Sequence, residues 1–292
     1  MADPVTVTAA TLQDWPLPDP AADKESRGRV LVVGGGTGTP GAVLLAGEGA
    51  LRAGAGKLQL AVAAAVAPVL ALAVPESRAL ELPAEAGGVL GAAAGPAARE
   101  AADGADVVLL GPGLTDLEAT VALLEDVVPT LDATVVVDAL ATAYVTAHPD
   151  GLRHLTGRCV LTANPTEVAR MLDRDEEAVD ADPAGAAAAL AGRTGVVVLC
   201  GGPDKVVATP DGGTWVVQAG GPGLGASGSG DVQSGLVAGL LARGAEPAQA
   251  AVWGGWLHAT AGDRLAAETG PVGFLVRDLA ARVPGLVAEV TG

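Results

Sequence analysis

Six short runs, apolar at almost every position, constrain this 292-residue chain more than any other feature: residues 30–33, 58–62, 107–110, 134–138, 159–162 and 195–200. A strand that is apolar on both sides has both faces covered, the condition met in a parallel sheet between two layers of helices. The intervening segments supply those layers. Residues 42–53, stopped by Gly54, and residues 117–127, 166–172 and 184–193 carry apolar side chains at helical spacing, with a shorter helical piece at 152–155. The pattern changes after Cys200. Residues 205–209, a Pro-Asp-Gly-Gly turn at 210–213 and residues 214–218 predict a hairpin. Two long helices follow, over 231–243 and 247–268, the second with Pro247 in its first turn. The expected fold is a three-layer α/β/α sandwich with a mostly parallel central sheet and a C-terminal hairpin.

No fixed-period repeat and no interior linker is visible, so residues 27–292 are expected to form one domain. Residues 1–26 are polar and include Pro16, Pro18 and Pro20. They are expected to form an N-terminal extension lying over the surface or a neighbouring subunit.

Half of the residues are hydrophobic but only 2% are aromatic, so the core must be built from Ala, Val and Leu. The formal charge of −17 repels polyanions and argues against nucleic acid as a partner. With Lys24, Lys57 and Lys205 the only lysines, a phosphate-bearing ligand must be held by backbone amides, by a local cation or by a metal ion. Cys159 and Cys200 lie in separate apolar strands, and His148, His154 and His258 are scattered, so no metal-ligand spacing emerges. A reducing cytoplasm is the simplest compartment. The N-terminus has neither a basic start nor an apolar h-region, which predicts no signal peptide. The longest apolar run, 60–74, is too short to span a bilayer and contains Pro68.

The richest chemistry lies at 220–231, where six glycines occupy the eleven positions before Asp231 and lead directly into a helical pattern. Such a loop has little side-chain bulk, so its amides can converge on an anion at the positive end of the helix dipole. Gly228, Ser229 and Gly230 therefore read as a phosphate cradle. Asp231 falls in the first turn, where its carboxylate could remove a proton from a hydroxyl being phosphorylated.

Gly36-Thr-Gly-Thr-Pro-Gly41 matches the dinucleotide fingerprint in form, but the strand at 58–62 runs into alanines instead of ending in the acid that would bind a ribose. No Gly-Lys-Ser/Thr follows either. What remains is a backbone near 38–42 open to a ligand, or simply a tight strand-to-helix turn. Gly111 to Leu114 ends one strand, Asp138 another, and Asn164 with Glu167 follows a third. Taken singly, Asp138 is a helix cap, Asn164-Pro165 a turn and Glu167 a first-turn acid. Together they predict a shared crevice at the carboxyl edge of the sheet.

Residues 30–61, 111–114, 161–167 and 225–244 resemble, in order, the ADP-dependent NAD(P)H-hydrate dehydratases of the ribokinase-like superfamily. The resemblance covers nearly the whole chain from residue 27. It implies a ribokinase-like fold and a repair enzyme that uses ADP, or ATP, to drive loss of water from hydrated NADH or NADPH. By the same resemblance Ala42, Gly113, Asn164 and Asp231 contact substrate, and Asp231 is the catalytic acid-base residue. Cys200, Gly201, Gly202, Pro203 and Asp204 stand where the family's nucleotide loop lies, with Gly230 also on the nucleotide. Two positions depart from the family pattern: Cys200 replaces a lysine and Asn164 replaces a histidine, with Asn164 and Glu167 resembling the pair in the superfamily's vitamin kinases. Lys205 is a candidate to restore the missing charge. Mg²⁺ near Glu167, a homotetramer and a separate epimerase are further expectations. The alternatives are a small-molecule kinase of the same fold using ATP, and a nucleotide-binding protein without catalysis.

Overall fold

A computed structural model of the chain describes residues 3–19 and 23–292, so parts of the expected N-terminal extension, Pro20 among them, lie outside the described residues. Among the described residues ten strands make one sheet: β1 (Val5–Thr6), β2 (Arg29–Val33), β3 (Lys57–Ala63), β4 (Ser77–Leu82), β5 (Val107–Leu110), β6 (Thr134–Val137), β7 (Cys159–Ala163), β8 (Val197–Cys200), β9 (Lys205–Ala208) and β10 (Thr214–Val217). Their order is β1-β10-β9-β8-β7-β6-β5-β2-β3-β4. Every neighbouring pair from β4 to β8 is parallel. β9 is antiparallel to β8 and β10, and β1 joins β10 in parallel. The predicted hairpin is therefore the continuation of the sheet beyond β8.

Among the described residues twelve α-helices complete the fold: α1 (Ala9–Gln13), α2 (Pro40–Ala53), α3 (Ala67–Ala73), α4 (Gly95–Ala102), α5 (Leu117–Val127), α6 (Thr142–Ala147), α7 (Pro165–Leu172), α8 (Glu176–Ala181), α9 (Pro183–Thr194), α10 (Ser229–Ala242), α11 (Pro247–Thr269) and α12 (Val283–Thr291). α2, α10 and α11 pack on one another as one layer, while α4, α5, α6, α7 and α9 follow one another as the second. The α/β/α sandwich with a mostly parallel sheet is thus as expected. None of the helices among the described residues is long and apolar enough to cross a membrane.

Small side chains set how closely these layers approach. A Cβ at Gly235 or Gly239 of α10 would overlap the carbonyl oxygens of Ala46 and Ala50 on α2, so the two helices meet backbone to backbone. That contact carries the first turn of α10 to the sheet's carboxyl edge beside α2. The 3–19 segment adds to the molecule's own core instead of lying loosely over it. Leu12 is fully buried, Trp15 stacks on Trp215 with ring centroids 5.6 Å apart, and Trp253 Nε1 donates to the Trp15 carbonyl oxygen at 2.9 Å.

Candidate active site

The glycine run at 220–231 passes through one short turn and enters α10 with Gly228 as N-cap at φ +90°. No side chain caps the helix there. Leu224 and Gly225 donate to the Gly221 and Pro222 carbonyls, and Ser229 to that of Ala226. The amides of Ala226, Ser227, Gly228, Gly230 and Asp231 have no hydrogen-bond acceptor among the described residues. Five unsatisfied N–H groups at the positive end of a 14-residue helix form an anion cradle in waiting.

Ala226, Ser229 and Gly230 of this loop line one wall of a cavity of about 910 Å³. The ends of β6 and β7 supply another wall through Asp138, Thr162, Asn164 and Glu167. Asp231 lines the same space. Three carboxyls thus share a low-dielectric pocket, and each resists ionisation. Burial, followed by the charge of nearby Asp138, pushes Asp231 up to about 7. Glu167 rises to about 7, chiefly through burial, against the hydrogen bond it accepts from the Asn164 amide. Asp138, only 7% exposed, is raised by burial, and the Thr162 hydroxyl donating to it at 2.7 Å opposes the rise. The helix-cap reading of Asp138 fails, because its side chain makes no cap bond and turns to Thr162 instead. Asn164, expected in a turn, is instead the N-cap of α7, and Glu167, expected as a first-turn acid, lies in that first turn and completes a capping box. Asn164 Oδ1 accepts from the Glu167 amide and Glu167 Oε2 from the Asn164 amide, both at 2.9 Å, locking the two side chains at the mouth of α7.

The loop from β8 to β9 brings Gly201, Gly202 and Pro203 to the cavity, whereas Cys200 and Asp204 stand outside its lining. Cys200 is fully buried, its thiol donating to the Gly201 carbonyl at 3.4 Å. Burial, then the charges of Asp180 and Glu167, push that thiol up to about 12, so it carries no charge. The lining's only lysine or arginine is Lys205, at the start of β9.

His258, from the middle of α11, supports the cradle from below. Its Nε2 donates to the Ser229 carbonyl and lies 3.0 Å from the Ser229 hydroxyl as well. Burial, reinforced by the positive charge of Lys205, holds it down to about 3, so the ring is neutral. No sequence signal distinguished this histidine from the other two. Its role depends on α11 crossing beneath α10.

The expected shared crevice is only partly realised. The loops after β2 and β5 are absent from the cavity lining and bond to each other, Gly35 N–H to Pro112 O at 2.8 Å and Gly36 N–H to Gly113 O at 3.0 Å. They meet where the strand order reverses between β2 and β5, since hydrogen bonding draws together whichever strand ends are neighbours. Ala42 and Gly113 are therefore near each other around Thr39, whose hydroxyl donates to Gly113 O at 2.7 Å. A Cβ at Gly38 or Gly41 would meet nothing within 4 Å, so this backbone is open as expected. Gly228 abuts Leu45 of α2 and lies close to the Asp231 carboxyl, which places the first turn of α10 between the two regions. Among the described residues no group of three His, Cys, Asp or Glu side chains is arranged to hold a metal ion.

A family model described as NAD(P)H-hydrate dehydratase matches residues 30–284. The ADP-dependent (S)-NAD(P)H-hydrate dehydratase of Xanthomonas campestris is 49% identical over 97% of this chain and 96% of that protein. The chain spans about half the length of the bifunctional NAD(P)H-hydrate repair enzymes that it also matches. Among solved structures, the ADP/ATP-dependent NAD(P)H-hydrate dehydratase of Bacillus subtilis, co-crystallized with ATP and Mg²⁺, superposes with a TM-score of 0.81 at 25% identity, covering 99% of this chain and 100% of that one. A ribokinase-like superfamily protein from Enterococcus faecalis has a TM-score of 0.81 at 20% identity, covering 98% and 96%, a likeness of fold.

Proposed function

The chain belongs to the NAD(P)H-hydrate dehydratase family, and from that premise we propose how its residues carry out ADP- or ATP-dependent dehydration of hydrated NADH or NADPH. The carrying observation is the Asp231 carboxyl, raised to about 7 and lining a cavity beside the unsatisfied amides of Ala226, Gly230 and Asp231 itself. The nucleotide's phosphates lie in the cradle of Gly228, Ser229 and Gly230 and along Gly201, Gly202 and Pro203, with Cys200 and Asp204 shaping that loop from outside. The hydrate reaches the catalytic carboxyl from the side of Ala42 and Gly113, with Asn164 at the rim.

Asp231 takes the proton from the substrate hydroxyl as its oxygen attacks the terminal phosphoryl group, and the bond to the nucleotide breaks. The amides stabilise the charge spread over the transferring phosphoryl oxygens. The phosphate ester then loses phosphate with the C–O electron pair, a proton leaves the neighbouring carbon, and the ring double bond returns. The same amides serve the departing phosphate.

The residues fit a Mg²⁺ ion brought with the nucleotide, since such ions use one or two carboxylates and phosphate oxygens instead of a full protein cage. Glu167, whose Oε1 is not engaged by the cap, would hold it, and the ion would neutralise phosphate charge. Further parts of this reading are that residues 27–292 act as one catalytic domain bearing residues 1–26 as an extension, that the enzyme works in the cytoplasm as a homotetramer, and that a separate epimerase is its partner.

Incubation with hydrated NADH, ADP and Mg²⁺ should regenerate NADH absorbance with release of AMP and phosphate. Asp231→Asn should lower the rate about a hundredfold or more while ADP still binds. Accumulation of a stable phosphorylated alcohol, or unchanged turnover in the variant, would reject the mechanism.

A further inference from the structure

We propose that Lys205, at the start of β9, grips the diphosphate of the bound nucleotide. The inference rests on the reading that the cavity takes an adenine nucleotide, and it adds a binding residue to that site.

Lys205 is 4% exposed, and what surface it retains lies along the cavity. Its ammonium has no hydrogen bond and no ion pair within 4 Å among the described residues. Each of the seven ion pairs between described residues joins other side chains. The stem packs along α11, where a Cβ at Gly255 would sit 3.8 Å from Lys205 Cδ. A buried cation without a counter-ion is costly, and burial draws its proton affinity down while Asp263 and Asp204 act on it only from beyond pairing distance. Solvated lysines escape this cost by extending to water, but Lys205 ends in a pocket instead.

The pocket explains what would pair with it. The unsatisfied amides of Ala226, Gly230 and Asp231 line the same cavity and suit an anion, and among the described residues Lys205 is the only lysine or arginine in that lining. Cys200 stands opposite Val206 across the antiparallel β8–β9 pair, so the two sides of one short loop carry positions 200 and 205 to the same end of the sheet. Cys200 is a buried, uncharged thiol, so Lys205 is the residue of the two that carries charge to that end.

Binding calorimetry without hydrate tests this, using ADP and adenosine as probes on the wild-type protein and on Lys205→Met. The expected result is a loss of about tenfold to a hundredfold in ADP affinity with adenosine affinity nearly unchanged. A change in the ADP-to-adenosine affinity ratio smaller than about threefold would overturn the assignment. Should the variant not fold, lysine labelled at ¹³Cε answers in the wild type, whose three lysines give a simple spectrum. The Lys205 signal should move on adding ADP or inorganic pyrophosphate but not adenosine, and a signal indifferent to both anions would sink the proposal. Failure of the dehydratase reading looks different: ADP would bind through Lys205 while no NADH returned from its hydrate.

Discussion

The charge of Asp138 adds to burial in raising both Asp231 and Glu167. Removing a negative charge beside Asp231 should ease its ionisation, because burial and Asp138 are the two causes of its raised value. With Asp231 as proton acceptor, kcat/KM should climb with pH and level off above about 7, and Asp138→Asn should shift that limb downward by about half a unit to one unit. A limb that stays in place would remove Asp138 from the tuning. Stability runs the other way. The unfolded chain ionises this carboxyl near pH 4 and the folded one near 7, so stability present at low pH is lost as pH rises through that interval. Asp231→Asn should therefore raise Tm at pH 8 by about 2–6 °C and leave it nearly unchanged at pH 4. Asp231 was legible as a candidate from Gly-Ser-Gly-Asp ahead of a helix. Its proton affinity was not, because Asp138 lies 93 positions earlier in the chain and nothing local announces that the two meet.

At the level of elements, glycines that look alike in sequence do different things. Gly228 adopts φ +90° and a Cβ there would come within 2.5 Å of Leu45 Cδ1, so Gly228→Ala meets both backbone strain and a collision with α2. The expected cost is about 1–3 kcal/mol with roughly tenfold weaker ADP binding, measured by urea unfolding and calorimetry. Gly192 in α9 has nothing within 4 Å of its Cβ position, and Gly192→Ala should gain about 0.5–1 kcal/mol instead. The doubly buried strands were legible because burial on both faces writes an unbroken apolar run, and α5 appears with its predicted bounds. β4 was missed for the converse reason. At the sheet edge it is half-exposed and reads Ser-Arg-Ala-Leu-Glu-Leu, with no continuous apolar signal. α4 and α12 were missed as well, being short and rich in alanine or valine without a strong stripe.

The molecule as a whole draws its N-terminal segment into the core. Deleting residues 1–19 would remove Leu12, strip β1 from β10, and leave Trp253 Nε1 and Gln249 without the Trp15 and Pro16 carbonyls that accept from them. Tm should fall by about 10 °C or more in calorimetric scans, and an unchanged Tm would mean the segment contributes nothing to the fold. A charge of −17 makes the same point for the site, since an anionic nucleotide must be captured by local groups against the long-range field. Sequence alone determined the parallel sheet, its covering helices and a glycine cradle ending in an acid, because periodicity and backbone freedom are properties of neighbouring residues. Tertiary structure alone decided that residues 138, 167, 205, 231 and 258 surround one cavity and that the loops after β2 and β5 stand apart from it. Strand order and helix crossing set those distances, and both follow from how the whole core packs.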